Sequence, residues 1–175
     1  MIINSPIIGA GGVEIENGIW EDADSVNLKE TAWWDRYVFG KEDTAVSSNK
    51  LVLEDAEGVY ETEGYRTSKP IPLSLITAVK SSNIKWNSTT PADTDIKIYT
   101  AVNEDDTTEP TYPDDYSEAT DDSSIPSISA DQDLTGKYLW TRAELSTSDT
   151  NETPRLTTLE YSVESEDKVN FFKFF

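Results

Sequence analysis

The fold is decided by residues 137–161, which begin KYLWTRAEL (137–145), cross a polar loop and return as RLTTLEYSV (155–163). Side chains of the first arm alternate between two faces, as a β-strand requires. One face carries Leu139, Thr141, Ala143 and Leu145, and the other carries Tyr138, Trp140, Arg142 and Glu144. The second arm is rich in β-branched and aromatic residues and predicts another strand, although its buried face is less clear from the pattern.

Before this stretch, short apolar runs recur between clusters of Gly, Pro, Asn and Asp. They predict strands at residues 51–54, 58–67, 71–79, 82–87 and 95–102. A short strand at 13–20 and a turn at 22–27 are expected before them. Strands of this length, with no amphipathic helix between them, are typical of an all-β sandwich or barrel. The expected core contains Leu51, Leu53, Ile84, Trp86, Ile96, Ile98, Leu139 and Leu145.

The composition excludes several classes of function. A formal net charge of −20 makes phosphate backbones and anionic membranes poor partners, so neither nucleic-acid binding nor membrane insertion is expected. The chain has no Cys and no His, which removes disulfides, thiolate metal sites and nucleophiles activated by His. We therefore predict no enzymatic activity and no catalytic or metal-ligating residue. The N-terminal residues lack the pattern of a signal peptide, so a protein made without an export signal is expected.

Two groups of residues are candidates for ligand contact. Trp33 and Trp34 lie in an aromatic patch, residues 31–40, which suits either core packing at a sheet edge or a platform for a sugar or a protein partner. In a strand the two tryptophans would point to opposite faces, so one should reach a surface. Trp140 and Arg142 share a face of the first arm. The alternative for Arg142 is a structural role, paired with Glu144 or a neighbouring strand.

Residues 103–124 break the strand pattern with nine acidic residues and no basic one. Repulsion between like charges predicts a long loop that projects into solvent. Clustered carboxylates also suit Ca²⁺, although their spacing does not follow an EF-hand, so a bound calcium ion and a merely solvated loop both remain open. No other cofactor is expected.

Both ends of this acidic chain are apolar, and both are predicted to contact neighbouring subunits. The alternatives are that the N-terminal segment lies along its own domain and that the C-terminal strand completes the sandwich. The predicted interface residues are Ile2, Ile3, Ile7, Ile8, Phe171, Phe172, Phe174 and Phe175. Deletion of residues 171–175 should then prevent assembly while the sandwich stays folded.

Several segments together resemble a known family. They are GYRTSKPIPL (64–73), IKW (84–86), TDIKI (94–98), Tyr138-Leu139 with Arg142, Leu145 and Asp149, and TPRL (153–156) with Tyr161. Over roughly residues 50–164 the chain resembles the jelly-roll β-sandwich modules of phage tail and other virion proteins, which are also appended to bacterial carbohydrate-active enzymes. The resemblance implies a jelly-roll-like antiparallel sandwich, which we place at 47–164. The residues on either side predict an N-terminal docking extension with short strands (1–46) and a C-terminal aromatic strand that could pair between subunits (165–175).

The function that this resemblance implies is structural. We expect a non-enzymatic component of a phage particle, in the tail, the baseplate or the head decoration, with a possible role in adhesion to a host glycan. Its location would be the virion, and its partners would be other virion proteins and further copies of itself in a multimeric assembly. The alternative is a carbohydrate-binding module associated with a glycan-active protein.

Overall fold

The computed structural model describes residues 13–15, 19–22, 25–30, 34 and 38–165, the first three ranges as backbone alone. These residues form strands and turns and contain no helix. In chain order the strands are β1 (Val13–Ile15), β2 (Ile19–Asp22), β3 (Ser25–Glu30), β4 (Val38–Glu42), β5 (Thr44–Ser47), β6 (Lys50–Leu53), β7 (Asp55–Ala56), β8 (Val59–Tyr60), β9 (Glu63–Ser68), β10 (Ile71–Pro72), β11 (Val79–Thr89), β12 (Thr94–Asn103), β13 (Ser117–Glu118), β14 (Tyr138–Thr147) and β15 (Arg155–Ser165).

The strands form two larger antiparallel sheets, which pack as a sandwich and confirm the predicted all-β class. The first, which we call the β15 sheet, has the order β1-β2-β3-β15-β6-β5, with β11 also paired to β15. The second, the β14 sheet, has the order β13-β12-β14-β9-β4, with β10 also paired to β14. Strands β7 and β8 form a separate hairpin. Strands from the N-terminal 46 residues are thus hydrogen-bonded into both sheets.

The two arms described above become β14 and β15, which lie at the centres of opposite sheets. β14 pairs with β12 along its whole length, from Tyr138 opposite Asn103 to Thr147 opposite Thr94, and with β9. β15 pairs with β11 on one side and with β3 and β6 on the other. The polar loop between the arms therefore carries the chain from one sheet to the other, and each arm organises a different layer.

The core lies between the sheets and agrees closely with the sequence pattern. Seven of the eight predicted core residues are buried, and the eighth, Trp86, is partly buried against the same cluster. The pattern missed the segment after β13, which contributes Ala119, Ile125, Ile128 and Leu134 to the core. Backbone hydrogen bonds hold this segment to β11, from Ile84 N to Ser123 O (2.8 Å), and to the turn before β11, from Leu134 N to Ile76 O (2.9 Å).

The alternation of buried and exposed residues in β15 is irregular because the strand contains a bulge. Leu156 pairs with Ser88 and Thr158 with Asn87, so Thr157 is an extra residue in the ladder. A bulge of this kind shifts the alternation by one position. Leu156 and Leu159 are therefore both buried although they are three residues apart.

Four of the predicted elements differ from the structure. The strand predicted at 13–20 is two short strands, β1 and β2, and the strand predicted at 58–67 is divided into β8 and β9. The strand predicted at 71–79 is reduced to Ile71–Pro72, and the chain then turns, with Ile76 N donating to Leu73 O (3.0 Å). Pro70 and Pro72 lack the N–H groups that a longer ladder needs. The turn predicted at 22–27 is shorter than expected, because β3 begins at Ser25 and pairs with β15.

Gly64, on β9, lies against the backbone of Asp43, where the chain passes from β4 to β5 and so from one sheet to the other. A Cβ atom at this position would lie 2.5 Å from the backbone oxygen of Asp43. Gly40 on the neighbouring strand has room, since a Cβ atom there would meet only Glu109 Oε2 at 3.5 Å. The close approach at Gly64 thus excludes any side chain unless the backbone moves.

We predict that Gly64→Ala lowers the free energy of unfolding by about 1–3 kcal/mol, as overpacking typically does, and that Gly40→Ala does not. Urea unfolding of both variants, followed by tryptophan fluorescence, measures the difference. Equal stability of the two variants would show that the backbone at Asp43 does not restrict residue 64.

Candidate functional site

The outer face of the β14 sheet carries the side chains that point away from the core. The strand register places them in rows across the sheet. The first row contains Asp95, Ser146 and Glu63; the second contains Lys97, Glu144, Tyr65 and Glu42; and the third contains Tyr99, Arg142 and Thr67. Charged and aromatic residues thus share a face that is built on paired strands.

The acidic segment between β12 and β13, residues 104–116, packs across part of this face, and we call it the strap. Pro110 and Tyr116 are buried, and the Tyr112 ring contacts Tyr99 edge-on with ring centres 5.3 Å apart. The hydroxyl of Thr67 donates to Glu109 Oε1 (2.7 Å). The predicted projection of this loop into solvent is therefore wrong, because Pro110, Tyr112 and Tyr116 pack against the sheet, while the acidic side chains of the strap other than Glu109 remain exposed.

Arg142 connects the strap to the sheet. Its guanidinium carbon lies 3.6 Å from the ring centre of Tyr65 and 4.2 Å from that of Tyr112, on the strap. Nη1 is 3.5 Å from Glu109 Oε1, and Nε donates to Glu144 Oε1 at 3.1 Å. Since the side chain is only 11% exposed, these contacts are screened less by solvent than ordinary surface pairs. The structural alternative foreseen for Arg142, pairing with Glu144, is present.

Trp140 needs a correction as a predicted ligand contact. Its side chain is fully buried (0% exposed), with the Phe39 ring edge-on at 4.7 Å. Nε1 donates to Asn103 Oδ1 (2.9 Å) and to the backbone oxygen of Asp105 (3.1 Å), so even its polar group is occupied. The start of the strap covers this indole, and a ring without exposed surface has no area to offer a ligand.

The turn that presents the Asp105 carbonyl to Trp140 is fixed by local hydrogen bonds. Oδ1 of Asp105 accepts from the hydroxyl and the amide of Thr107, both at 2.7 Å. These bonds hold the pKa of Asp105 at about 2. The start of the strap is therefore an ordered turn.

Trp34 is likewise buried and has almost no exposed surface for a ligand. It is 1% exposed in the core between the sheets, where Nε1 donates to Asn49 O (3.3 Å). The Arg66 guanidinium lies 5.1 Å from its ring centre, and Arg66 Nε donates to Trp34 O (2.8 Å). Core packing, the first alternative for this aromatic patch, therefore applies to Trp34. The other predicted site residues, Trp33 and the interface residues of both termini, lie outside the described residues.

The strap leaves the first two rows of the outer face open, and a groove of about 630 Å³ lies there. Its aromatic wall consists of Tyr65, Tyr99 and Tyr112, all of them half-buried. Its charged lining comprises Glu42, Asp43, Glu63, Asp95, Glu144, Lys97 and Arg142. Sequence analysis missed the groove because Tyr65 and Tyr99 belong to strands far apart in sequence, and Tyr112 belongs to a segment read as solvated.

The arrangement favours noncovalent binding by rings and carboxylates. In the described part of the chain, no three acidic side chains are grouped closely enough to hold a metal ion. None of the described segments forms a helix that is long and apolar enough to cross a membrane. No protein-family model matches the chain, and no curated protein is significantly similar to it.

The two strap tyrosines predict a pH dependence. Burial raises the pKa of Tyr112, as does its hydrogen bond to Glu144, and burial raises the pKa of Tyr116 beside Glu109. An unfolded tyrosine has a pKa of about 10, so the folded protein binds these protons more tightly than the unfolded chain. The stability from the protonated hydroxyls is then complete below about pH 10 and is lost as the pH rises towards the raised pKa values.

We expect the loss of stability between pH 9 and pH 11 to be smaller in Tyr112→Phe than in the unmodified protein. Urea unfolding at these pH values tests the difference, and ultraviolet titration of tyrosinate should show one late-ionising group fewer in the variant. Identical pH profiles for both proteins would contradict the described environment of Tyr112.

Proposed function

We propose that this protein is a non-enzymatic structural component of a phage particle, in the tail, the baseplate or the head decoration, and that it attaches to the host surface through the groove of the β14 sheet. The antiparallel sandwich and the resemblance to virion modules over roughly residues 50–164 support the structural part. A jelly-roll order of the strands and a location in the virion belong to the same proposal.

The groove is the observation that carries the attachment role. Three tyrosine rings provide apolar surface, and the carboxylates provide hydrogen-bond acceptors, a combination that suits ligands with apolar faces and polar rims. Most of these side chains project from paired strands, which hold them more rigidly than free loops would. A saccharide has both an apolar ring face and a polar rim.

The same groove favours the second candidate, a carbohydrate-binding module of a glycan-active protein. The two candidates share the ligand site and differ in the assembly that contains the protein. Particle association therefore separates them, whereas saccharide binding alone does not.

The structural role predicts a fixed copy number in purified particles. Quantitative mass spectrometry of gradient-purified particles, from the phage that encodes this chain, should find the protein at a constant ratio to the major capsid protein. The paired substitution Glu42→Gln and Glu63→Gln, on the groove rim, should leave this ratio unchanged and slow adsorption to host cells. Recovery of all the protein from the soluble lysate would overturn the structural role, and unchanged adsorption would overturn the attachment role.

A further inference from the structure

The open half of the outer face has a defined shape and chemistry. The first row places Ser146 between Asp95 and Glu63, and the second places Glu144 between Lys97 and Tyr65. The strap closes one side of this area with Tyr112, over Arg142 in the third row. A ligand in the groove would meet aromatic rings at this side and carboxylates over the rest.

The groove carries more negative than positive charge. Five of its side chains are carboxylates, and Lys97 and Arg142 are its two basic ones. The charge of Arg142 is matched already, by Glu144 inside the groove and by Glu109 on the strap. The net charge of −20 on the whole chain adds a further field that repels anions.

Three of these carboxylates have no ion-pair partner among the described side chains. Within residues 38–165 no basic side chain lies within ion-pair distance of Glu42, Asp43 or Glu63, and all three are exposed. All three line the groove together with the half-buried Tyr65. Glu42 is the register partner of Tyr65 on β4, and Glu63 lies two residues before Tyr65 on β9. The rim can therefore bind a positive group beside an aromatic side chain.

We infer that the groove binds a saccharide that carries free amino groups, as a polymer of glucosamine does. This inference rests on the proposed attachment function and names its ligand class. The sugar rings contact the exposed parts of the tyrosines, and their ammonium groups lie against Glu42, Asp43 and Glu63, where charge-assisted hydrogen bonds to the carboxylates favour a cation.

The other saccharide classes fit these residues less well. A sugar with carboxylate, sulfate or phosphate groups would place its charge among like charges, which disfavours binding. A neutral sugar would cover the carboxylates without supplying a counter-charge, so they would lose water and gain only hydrogen bonds from hydroxyl groups. The amino groups are thus the feature that the groove selects.

Isothermal titration calorimetry with matched tetrasaccharides tests the inference. At pH 6 in low salt, the tetramer of glucosamine should bind at least tenfold more tightly than the tetramer of N-acetylglucosamine, and the tetramer of galacturonic acid should not bind. Binding of the glucosamine tetramer should weaken as NaCl is raised, because the contacts are exposed. Equal affinity for the free and the N-acetylated tetramer would overturn the inference.

Variants locate the binding site. The paired substitution Glu42→Gln and Glu63→Gln should lower the affinity for the glucosamine tetramer at least tenfold and leave the thermal unfolding midpoint unchanged. A matched control, Glu54→Gln with Glu57→Gln, removes two exposed charges near the β7–β8 hairpin and should leave the affinity unchanged. An equal loss in both pairs would show that the overall charge attracts the sugar, and it would overturn the site.

Two further outcomes separate the inference from the function that it rests on. Tetralysine bound as tightly as the glucosamine tetramer would overturn the saccharide class, because charge alone would then suffice. If the protein is incorporated into particles and adsorption depends on the groove rim, yet no amino sugar binds, the ligand class is wrong and the attachment function stands. If the protein is absent from particles and still binds the glucosamine tetramer through the groove, the ligand class stands and the virion role is wrong.

Discussion

The outer face of the sandwich depends on one cation held between two rings. Arg142 lies between Tyr65, on the neighbouring strand β9, and Tyr112, on the strap, and it contacts Glu109 and Glu144 as well. Its removal would leave Glu109 partly buried without a counter-charge, which is costly even where the intact pair contributes little. Arg142 contacts the strap from the middle of the sheet, at the boundary between the covered half of the face and the groove.

The position of Arg142 follows from the placement of β14 at the centre of its sheet. β14 has β12 on one side and β9 on the other, and the outward side chains of all three strands form rows. The strap begins at the end of β12 and ends at β13, which pairs with β12. Both ends of the strap are therefore fixed beside β12, and the strap lies on the outer face of the β14 sheet. The inner face of these strands packs the core, and the outer face is divided between strap and groove.

The sequence predicts the strands where alternation is regular and fails where distant segments meet. Alternation along 95–102 and 137–145 correctly identifies the inward residues of β12 and β14, because a strand with one buried face must repeat every two residues. The extra residue at Thr157 disturbs the same signal in β15. The segment after β13 has no regular structure, so no periodicity marks its buried residues Ile125, Ile128 and Leu134.

The composition of the strap likewise gives a wrong prediction, because the contacts that hold it come from distant strands. Nine carboxylates within residues 103–124 suggest a solvated loop, but Tyr112 and Tyr116 find a surface on strands that the local sequence does not reveal. The contact of Glu109 with Arg142 joins residues 33 positions apart and depends on the β12–β14 register. The groove is defined by the same register, so its residues could be recognised as a group only once the sheet was known.

Hydrogen–deuterium exchange of the strap tests the central claim, that Arg142 holds the strap on the sheet. Protection is expected at the amides of Asp115, bonded to Thr111 O (2.9 Å), and Tyr116, bonded to Pro113 O (3.1 Å). In Arg142→Met these amides should exchange much faster, while those of β11 and β15 keep their rates. Strap amides that exchange like an unstructured peptide in the unmodified protein, or that are unaffected by the substitution, would contradict the account.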